Sequence, residues 1–220
     1  MNNLARMNPV DPLFPPRPTA LAQAILKPMI RLGDLVIDAT AGNGHDTVFL
    51  AECVGPTGRV MAFDVQEAAL VSARCRVDGT RWVEFFHESH VTMDRHAAEG
   101  SVAAVMFNLG FLPGEDHGLT TETGETLAAL EVAARLLKPG GVLAVTCYPG
   151  HPAGAGEAMA VENWLTCCTA DGWRVARYGA IGTRRPAPFL LLAGKAHSTG
   201  FASANNASAV SSANDPGAPA

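Results

Sequence analysis

The sequence predicts an α/β fold in which a seven-stranded, mostly parallel sheet has helices on both faces and an antiparallel last strand. Strand-like and helix-like segments alternate through the middle of the chain, which is typical of parallel sheets. A β-branched run also ends at Asp38 in a glycine turn, Gly42-Asn43-Gly44, that leads directly into a helical segment. Near the C-terminus, the segments 173–181 and 188–195 lie too close together for a crossover helix, so we expect a hairpin there.

The individual elements follow from apolar runs, helical spacing of apolar residues, and Gly or Pro breaks. The helix near 122–137 has the clearest pattern, because apolar residues recur at helical spacing from Leu127 to Leu137 and Pro139-Gly140-Gly141 follows as a stop signal. We expect Thr183-Arg184-Arg185-Pro186 to turn the final hairpin. Strands are expected near 35–40, 59–64, 82–87, 102–108, 142–148, 173–181 and 188–195. Helices are expected near 19–31, 45–54, 66–76, 91–98, 122–137 and 155–170.

The two ends of the chain differ in composition from the middle. Residues 1–18 are rich in proline, which suits an extended arm better than a helix or a strand interior. Residues 198–220 are rich in Ser, Ala, Asn, Gly and Pro, so we expect a disordered tail. Residues 19–197 then form one enzyme domain, for which a chain of 220 residues with 48% hydrophobic residues supplies an adequate core.

The sequence also indicates where the protein is located and whether it binds a metal ion. No apolar run approaches the roughly 20 residues of a membrane span, and the N-terminus lacks the apolar stretch and cleavage site of a signal peptide. We therefore expect a cytoplasmic protein without membrane contact. The five cysteines form no C-x-x-C pair, so the sequence predicts neither a disulfide framework nor a metal site.

The glycine turn predicts a nucleotide cofactor, and its spacing favours one class. Asp64 ends a second apolar run about 20 residues beyond the glycines, where a carboxylate can accept hydrogen bonds from both ribose hydroxyls. The dinucleotide fingerprint would place a third glycine where this chain has Thr47. S-adenosylmethionine (SAM) carries no phosphate, and its amino-acid part only has to lie close to the turn. SAM is therefore the expected cofactor. An NAD-dependent oxidoreductase and a non-catalytic nucleotide-binding module are the alternatives from other classes.

Five motifs in order make the sequence similar to a specific family between about residues 20 and 196. They are Asp38-Ala39-Thr40-Ala41-Gly42-Asn43-Gly44-His45-Asp46-Thr47, Ala62-Phe63-Asp64-Val65-Gln66, His87-Glu88-Ser89-His90, Phe107-Asn108-Leu109-Gly110-Phe111-Leu112-Pro113-Gly114 and Tyr148-Pro149-Gly150-His151-Pro152. The chain resembles the small class I, Rossmann-like methyltransferases named rRNA methylases. The resemblance implies methylation of the aminomethyl group of a modified wobble uridine in tRNA.

The cofactor residues expected from this pattern surround the first three strand ends. Asp46 and Asn43 can bind the ammonium and carboxylate of SAM; capping of the helix that follows the turn is the alternative for Asp46. Gln66 is expected beside the ribose or the adenine edge, and a buried structural histidine is the alternative for His90. The full predicted set is Asp38, Gly42, Asn43, Gly44, Asp46, Asp64, Gln66, Ser89 and His90.

The predicted catalytic residues follow the fourth and fifth strands. Asn108 is placed to accept hydrogen bonds from the target amine and to aim its lone pair at the methyl group, which is catalysis by positioning. Tyr148 and His151 are the other candidates for the target pocket, and His151 is a candidate proton acceptor. A turn-stabilising role is the alternative for His151, because glycine and proline flank it.

The charge distribution bears on the substrate. A formal net charge of −5 disfavours RNA, but a basic group near the C-terminus includes Arg184 and Arg185, which we expect to contact RNA; a solvated sheet edge is the alternative. The expected partner is the anticodon stem-loop of tRNA, with rRNA or a small-molecule acceptor as alternatives. A homodimer is a further candidate.

Overall fold

The structure, a computed structural model, describes residues 16–110, 123–150 and 153–196. Its centre is one seven-stranded sheet, and the strands are β1 (Leu35–Asp38), β2 (Arg59–Phe63), β3 (Val83–Phe86), β4 (Val102–Leu109), β5 (Leu137–Cys147), β6 (Arg174–Gly179) and β7 (Phe189–Gly194). Their order across the sheet is β3-β2-β1-β4-β5-β7-β6. Strands β1 to β5 pair in parallel, whereas β7 is antiparallel to both of its neighbours. The predicted fold class is confirmed.

Helices cover both faces of the sheet. They are α1 (Pro18–Leu26), α2 (His45–Val54), α3 (Glu67–Arg76), α4 (Thr123–Leu136) and α5 (Gly154–Cys168), with short 3₁₀ helices at His90–Arg95 and Thr169–Asp171. Leu26 of α1 and Leu50 of α2 pack against one face of the sheet. Leu130 of α4 and Val161 of α5 pack against the other. Burial of these apolar faces, at about 25 cal/mol per Å² of apolar surface, holds the layers together.

Parallel pairing brings several chain-distant residues to one edge of the sheet. Asp38 closes β1 and pairs with Met106 of β4, so Asn108 lies two residues farther along β4, beside the turn that follows β1. Asp64 follows β2 directly, and Tyr148 follows β5. Ligands of open α/β sheets bind at this carboxyl edge, where the strand order reverses between β1 and β4.

Two predicted helices were wrong in extent or type. The helix expected near 19–31 ends at Leu26, because Pro28 has no N–H to continue the hydrogen-bond ladder. The helix expected near 91–98 is a 3₁₀ helix at His90–Arg95. There the Thr92 hydroxyl donates to the carbonyl of Ser89 at 2.9 Å, a local bond that competes with regular helix geometry.

The expected stop at Pro139-Gly140-Gly141 belongs to strand β5 instead. Leu137 already pairs with Val102, and the N–H of Gly140 donates to the carbonyl of Lys195 at 3.0 Å. Gly140 has a left-handed φ of +76°, and residues 138–141 form an irregularity without partners in β4, between the pairs Leu137–Val102 and Val142–Ala104. The strand is therefore irregular near its start, immediately after α4.

Other expectations fall partly or wholly outside the described residues. The proline-rich arm lies there except for its last three residues, of which Pro18 opens α1, and so does the tail at 198–220. Within the ranges that the structure covers, no helix is long and apolar enough to cross a membrane.

Candidate active site

The glycine turn after β1 is held by helix packing as well as by backbone conformation. The φ angle is +50° at Gly42 and +78° at Gly44, both in the left-handed region that favours glycine. A Cβ atom added to Gly44 would lie 2.7 Å from the Cα atom of Ala73 on α3. The Asn43 side chain also faces α3, where its Oδ1 accepts from the Ser72 hydroxyl at 3.2 Å. Close packing of α3 therefore sets the shape of the turn.

Asp64 joins the glycine turn to the start of α3. Its Oδ2 accepts from the N–H of Gly42 at 2.9 Å, and its Oδ1 accepts from the N–H of Gln66 at 2.9 Å. The carboxylate is half-buried, and an ionised carboxylate can accept about four hydrogen bonds. Capacity therefore remains for two further hydrogen bonds, and a contact with the ribose hydroxyls stays a prediction.

Asp38 lies beneath the turn with no exposed surface. Its Oδ2 accepts from the Thr47 hydroxyl at 2.6 Å, and its Oδ1 accepts from the N–H of Thr40 at 3.2 Å. Burial, followed by the nearby charge of Asp46, raises the pKa of Asp38 from 3.8 to about 7. Thr47, which stands where a dinucleotide site would have glycine, is therefore the hydroxyl donor to this buried acid.

Asp46, in the first turn of α2, connects two side-chain amides. Its Oδ1 accepts from Gln23 Nε2 at 2.6 Å, and its Oδ2 accepts from Asn108 Nδ2 at 2.7 Å. Asp46 is only 6% exposed. Gln23 is absent from the predicted site; the one available signal is its position between Ala22 and Leu26, which are both buried on α1.

Asn108 is held at both its backbone and its side chain. Its N–H donates to the Thr40 hydroxyl at 2.7 Å, which ties the end of β4 to the turn after β1. Its Nδ2 is used by Asp46. Its Oδ1 is buried and has no hydrogen-bond partner within the described part of the chain, so one acceptor stays open at the sheet edge.

His90 presents a second open acceptor on the opposite face of the sheet. Its Nδ1 lies 3.2 Å from the carbonyl of Ala39, and a carbonyl can only accept, so Nδ1 carries the proton. Burial lowers the pKa of His90, which favours the neutral ring. Its Nε2 is buried and unpartnered in the described ranges. Ser89 accepts from the N–H of Val91 at 3.5 Å and caps the 3₁₀ helix.

Tyr148 lies at the same carboxyl edge of the sheet as Asn108, and so does the β6–β7 hairpin. Burial, followed by the charge of Asp46, raises the pKa of Tyr148, and its ring lies 3.5 Å from where a Cβ on Gly110 would be. Arg184 and Arg185 are exposed in the hairpin connection. His151 lies outside the described residues.

An open groove runs between α5 and this hairpin, with a volume of about 360 Å³. Its lining includes Pro149 and Thr183, so it begins beside the end of β5. Arg177 crosses the groove, with its guanidinium 4.1 Å from the centre of the Phe189 ring and its Nε 3.4 Å from a carboxylate oxygen of Glu162. Phe189 is only 5% exposed beneath this guanidinium, so the groove presents a cation rather than an aromatic face.

The carboxyl groups around the glycine turn suit SAM as a ligand. Asp64 offers carboxylate acceptors for a ribose diol. Asp38 and Asp46 place two buried carboxyl groups beneath and beside the turn, and burial, followed by repulsion from Asp46, raises the pKa of Asp38. A positively charged ligand relieves that repulsion, and SAM carries both an ammonium and a sulfonium.

Comparison with known proteins decides the family. A family model described as "Putative rRNA methylase" matches residues 60–194. The chain belongs to this rRNA methylase family. It is 35% identical over 185 residues to the chloroplastic tRNA (mnm(5)s(2)U34)-methyltransferase of Arabidopsis thaliana, covering 79% of this chain and 67% of that protein. It spans a smaller share of two other curated relatives.

Solved structures agree with this rRNA methylase assignment. A Clostridium thermocellum protein, described as a putative rRNA-methylase, is 34% identical with a TM-score of 0.77, over 81% of this chain and 97% of that chain. A Streptococcus mutans protein, described as a putative methyltransferase, is 32% identical with a TM-score of 0.73, over 81% of this chain and 98% of that chain. That structure contains S-adenosylhomocysteine (SAH), the demethylated product of SAM.

These comparisons establish the enzyme class of this rRNA methylase family member. It is a SAM-dependent methyltransferase, as the glycine turn and Asp64 predict. The alternatives of an NAD-dependent oxidoreductase and a non-catalytic nucleotide-binding module are thereby removed. The role of each site residue stays a prediction, now with a defined geometry.

Proposed function

We propose that this methyltransferase acts on tRNA, where it methylates the aminomethyl group of a modified wobble uridine in the anticodon stem-loop. The observation that carries the proposal is the open acceptor Oδ1 of Asn108, buried at the end of β4 with its Nδ2 already bonded to Asp46. An amine substrate has N–H groups, and this oxygen can accept a hydrogen bond from one of them. The relative from Arabidopsis thaliana, named for a modified uridine of tRNA, supports the same substrate class.

The chemistry requires positioning and charge stabilisation. SAM, when bound, supplies a methyl group on a positively charged sulfur, so no further activation is needed. Asn108 Oδ1 accepts an N–H of the neutral amine and turns the nitrogen lone pair towards that methyl group. A nitrogen–carbon bond forms as the sulfur–carbon bond breaks, and the positive charge passes from sulfur to nitrogen. The nitrogen then releases one proton.

Three side chains have supporting roles in the proposal. The half-buried ring of Tyr148 forms a wall of the target pocket beside Gly110. His151 stays the predicted proton acceptor. Asp46, which bonds to Asn108, places a carboxylate close to the nitrogen on which positive charge develops, and such preorganised charge lowers the barrier.

RNA contact is assigned to the hairpin edge of the sheet. Arg184 and Arg185 lie in the β6–β7 connection, and Phe189 at the start of β7 pairs with Cys147 at the end of β5. The arginines therefore stand at the edge that carries Asn108. Arginine binds phosphate through paired N–H donors, and Arg177 adds an exposed cation in the adjoining groove.

The substitution Asn108→Ala tests whether Asn108 acts in methyl transfer and not in cofactor binding. We expect the SAH dissociation constant to be nearly unchanged, while methyl transfer to tRNA falls by about 100-fold or more because the amine loses its orienting acceptor. Substrate tRNA from a strain deleted for this gene is incubated with enzyme and SAM, and nucleosides are quantified by mass spectrometry. Asn163→Ala, which changes an exposed asparagine of α5, is the matched control.

The same assay separates the alternatives. Methylation of rRNA but not of tRNA would transfer the proposal to the rRNA alternative. Lack of methylation in every RNA fraction would favour a small-molecule acceptor. Normal turnover by Asn108→Ala would remove Asn108 from the catalytic role, whatever the substrate.

A further inference from the structure

The Gln23 side chain lies at the start of a hydrogen-bonded chain that ends at the methyl-transfer site. Gln23 Nε2 donates to Asp46 Oδ1 at 2.6 Å, and Asn108 Nδ2 donates to Asp46 Oδ2 at 2.7 Å. The three residues come from α1, from α2 and from β4, and the contacts span 23 and 62 positions of sequence. We name Gln23, Asp46 and Asn108 the amide–carboxylate relay.

We propose that Gln23 and Asp46 are positioning residues that fix the side-chain amide of Asn108 with its oxygen towards the substrate amine. An amide can be rotated to exchange its oxygen and its NH₂ group with little change of shape. Rotation would set Asn108 Oδ1 against the Asp46 carboxylate, where two acceptors repel. Asp46 therefore selects the orientation in which Oδ1 is the open acceptor.

Gln23 fixes the carboxylate in turn. Asp46 is almost fully buried, so a free carboxylate oxygen there would lack hydrogen bonds from water. The Gln23 donor occupies Oδ1 and leaves Oδ2 directed to Asn108. The Thr40 hydroxyl, which accepts from the N–H of Asn108 at 2.7 Å, holds the backbone of the same residue. Side chain and backbone of Asn108 are thus held from two separate elements.

Burial of the relay also strengthens its electrostatic effect. A hydrogen bond to a charged partner is stronger than a neutral one, and each bond in a chain polarises the next. Donation from Asn108 Nδ2 to the Asp46 carboxylate makes Oδ1 a better acceptor. The sequence-predicted role of Asp46 as a ligand of the SAM ammonium is compatible with this, because the carboxylate has further lone pairs.

The inference rests on the proposed catalytic role of Asn108, and Gln23→Met tests it first. This change removes the donor and keeps a side chain of similar length. We expect turnover with substrate tRNA to fall on the order of 10-fold, while the SAH dissociation constant changes by less than about 2-fold. Ala24→Met, at an exposed neighbouring position on α1, is the control and should retain full turnover.

Gln23→Glu supplies a pH readout that a merely structural role would not affect. A protonated glutamic acid can donate to Asp46, whereas an ionised one repels it. Turnover relative to wild type should therefore fall as pH rises, while the ratio for Gln23→Met stays constant. A pH-independent ratio for Gln23→Glu would overturn the relay.

A double substitution tests whether Gln23 acts through Asn108. Gln23→Met should have almost no additional effect on turnover in the Asn108→Ala background, because the group that it positions is absent. An equal loss in both backgrounds would mean that Gln23 acts by another route, and the proposal would be rejected.

An NMR measurement distinguishes failure of the relay from failure of the proposed substrate. The side-chain amide signals of Asn108, assigned from their loss in Asn108→Ala, should shift in Gln23→Met and not in Ala24→Met. Unchanged signals in Gln23→Met would refute the relay whatever the substrate is. A wild-type enzyme that methylates no tRNA would refute the substrate, while a shift of these signals would still support the relay.

Discussion

Asp38→Asn tests the charge that the fold buries beneath the glycine turn. Asp38 has no exposed surface, and burial together with the charge of Asp46 raises its pKa from 3.8 to about 7. The folded protein therefore keeps a proton on Asp38 at pH values where the unfolded chain has lost it. An asparagine at this position has similar shape, can accept from the N–H of Thr40, and can donate to the Thr47 hydroxyl.

The size of the effect follows from the two pKa values. The difference between 3.8 and about 7 corresponds to about 4 kcal/mol, since one pKa unit equals about 1.4 kcal/mol. Because the folded-state pKa is raised, the stabilisation is fully present below the unfolded value and is lost as pH rises through about 7. Relative to Asp38→Asn, the wild-type free energy of unfolding should therefore decline by up to about 4 kcal/mol across that range.

Urea denaturation followed by circular dichroism measures this difference. Wild type, Asp38→Asn and the control Asp78→Asn, which changes an exposed carboxyl, are compared at intervals between about pH 4.5 and about pH 8. Wild type and the control should follow the same curve, and Asp38→Asn should diverge from them upward as pH rises. Parallel curves for all three proteins would refute the argument that Asp38 keeps its proton in the folded state.

Other substitutions test the cofactor contact, the turn and the RNA edge. Asp64→Ala should weaken SAH binding by about 1–3 kcal/mol in calorimetry, through lost charged hydrogen bonds; unchanged affinity would exclude a ribose contact. Gly44→Ala should lower the melting temperature through strain of about 1–3 kcal/mol, whereas Gly124→Ala, at an open position of α4, should be nearly neutral. Replacing Arg184 and Arg185 with Ala should raise the Michaelis constant for tRNA and reduce the salt slope of binding by roughly one to two units; a constant slope would place the RNA elsewhere.

Local signals were enough to predict the sheet and the cofactor turn. A β-branched run that ends in Gly42-Asn43-Gly44 needs no distant partner to be recognised, and the short connection between 181 and 188 leaves room only for a hairpin. The predicted strand ends therefore coincide with the carboxyl edge where Asp64 and Asn108 lie. Helix ends and the start of β5 were predicted less well, because Gly140 obtains its partner from Lys195, at the far end of the domain.

The parts of the site that depend on tertiary contacts could not be predicted. Nothing near Gln23 in sequence indicates that its amide meets Asp46, because the contact requires α1 and α2 to pack on the same face. Gly44 lies in the turn after β1 with a left-handed φ, and its cofactor role stays a prediction; the close approach of Ala73 shows a second reason for glycine. Such a contact appears only when α3 is placed beside the turn.

The strand order reverses between β1 and β4, and most residues assigned to the cofactor therefore come from a different part of the chain than those assigned to the acceptor. Groups assigned to the cofactor lie within residues 38–90, on strands β1 to β3 and the segments after them. Apart from Gln23 and Asp46, which are proposed to position Asn108, the groups assigned to the acceptor begin at Asn108 and extend to the hairpin with Arg184 and Arg185. Mutations in the second set can therefore alter which molecule is methylated while the first set is conserved, so acceptor specificity is free to diverge among relatives that share one cofactor site.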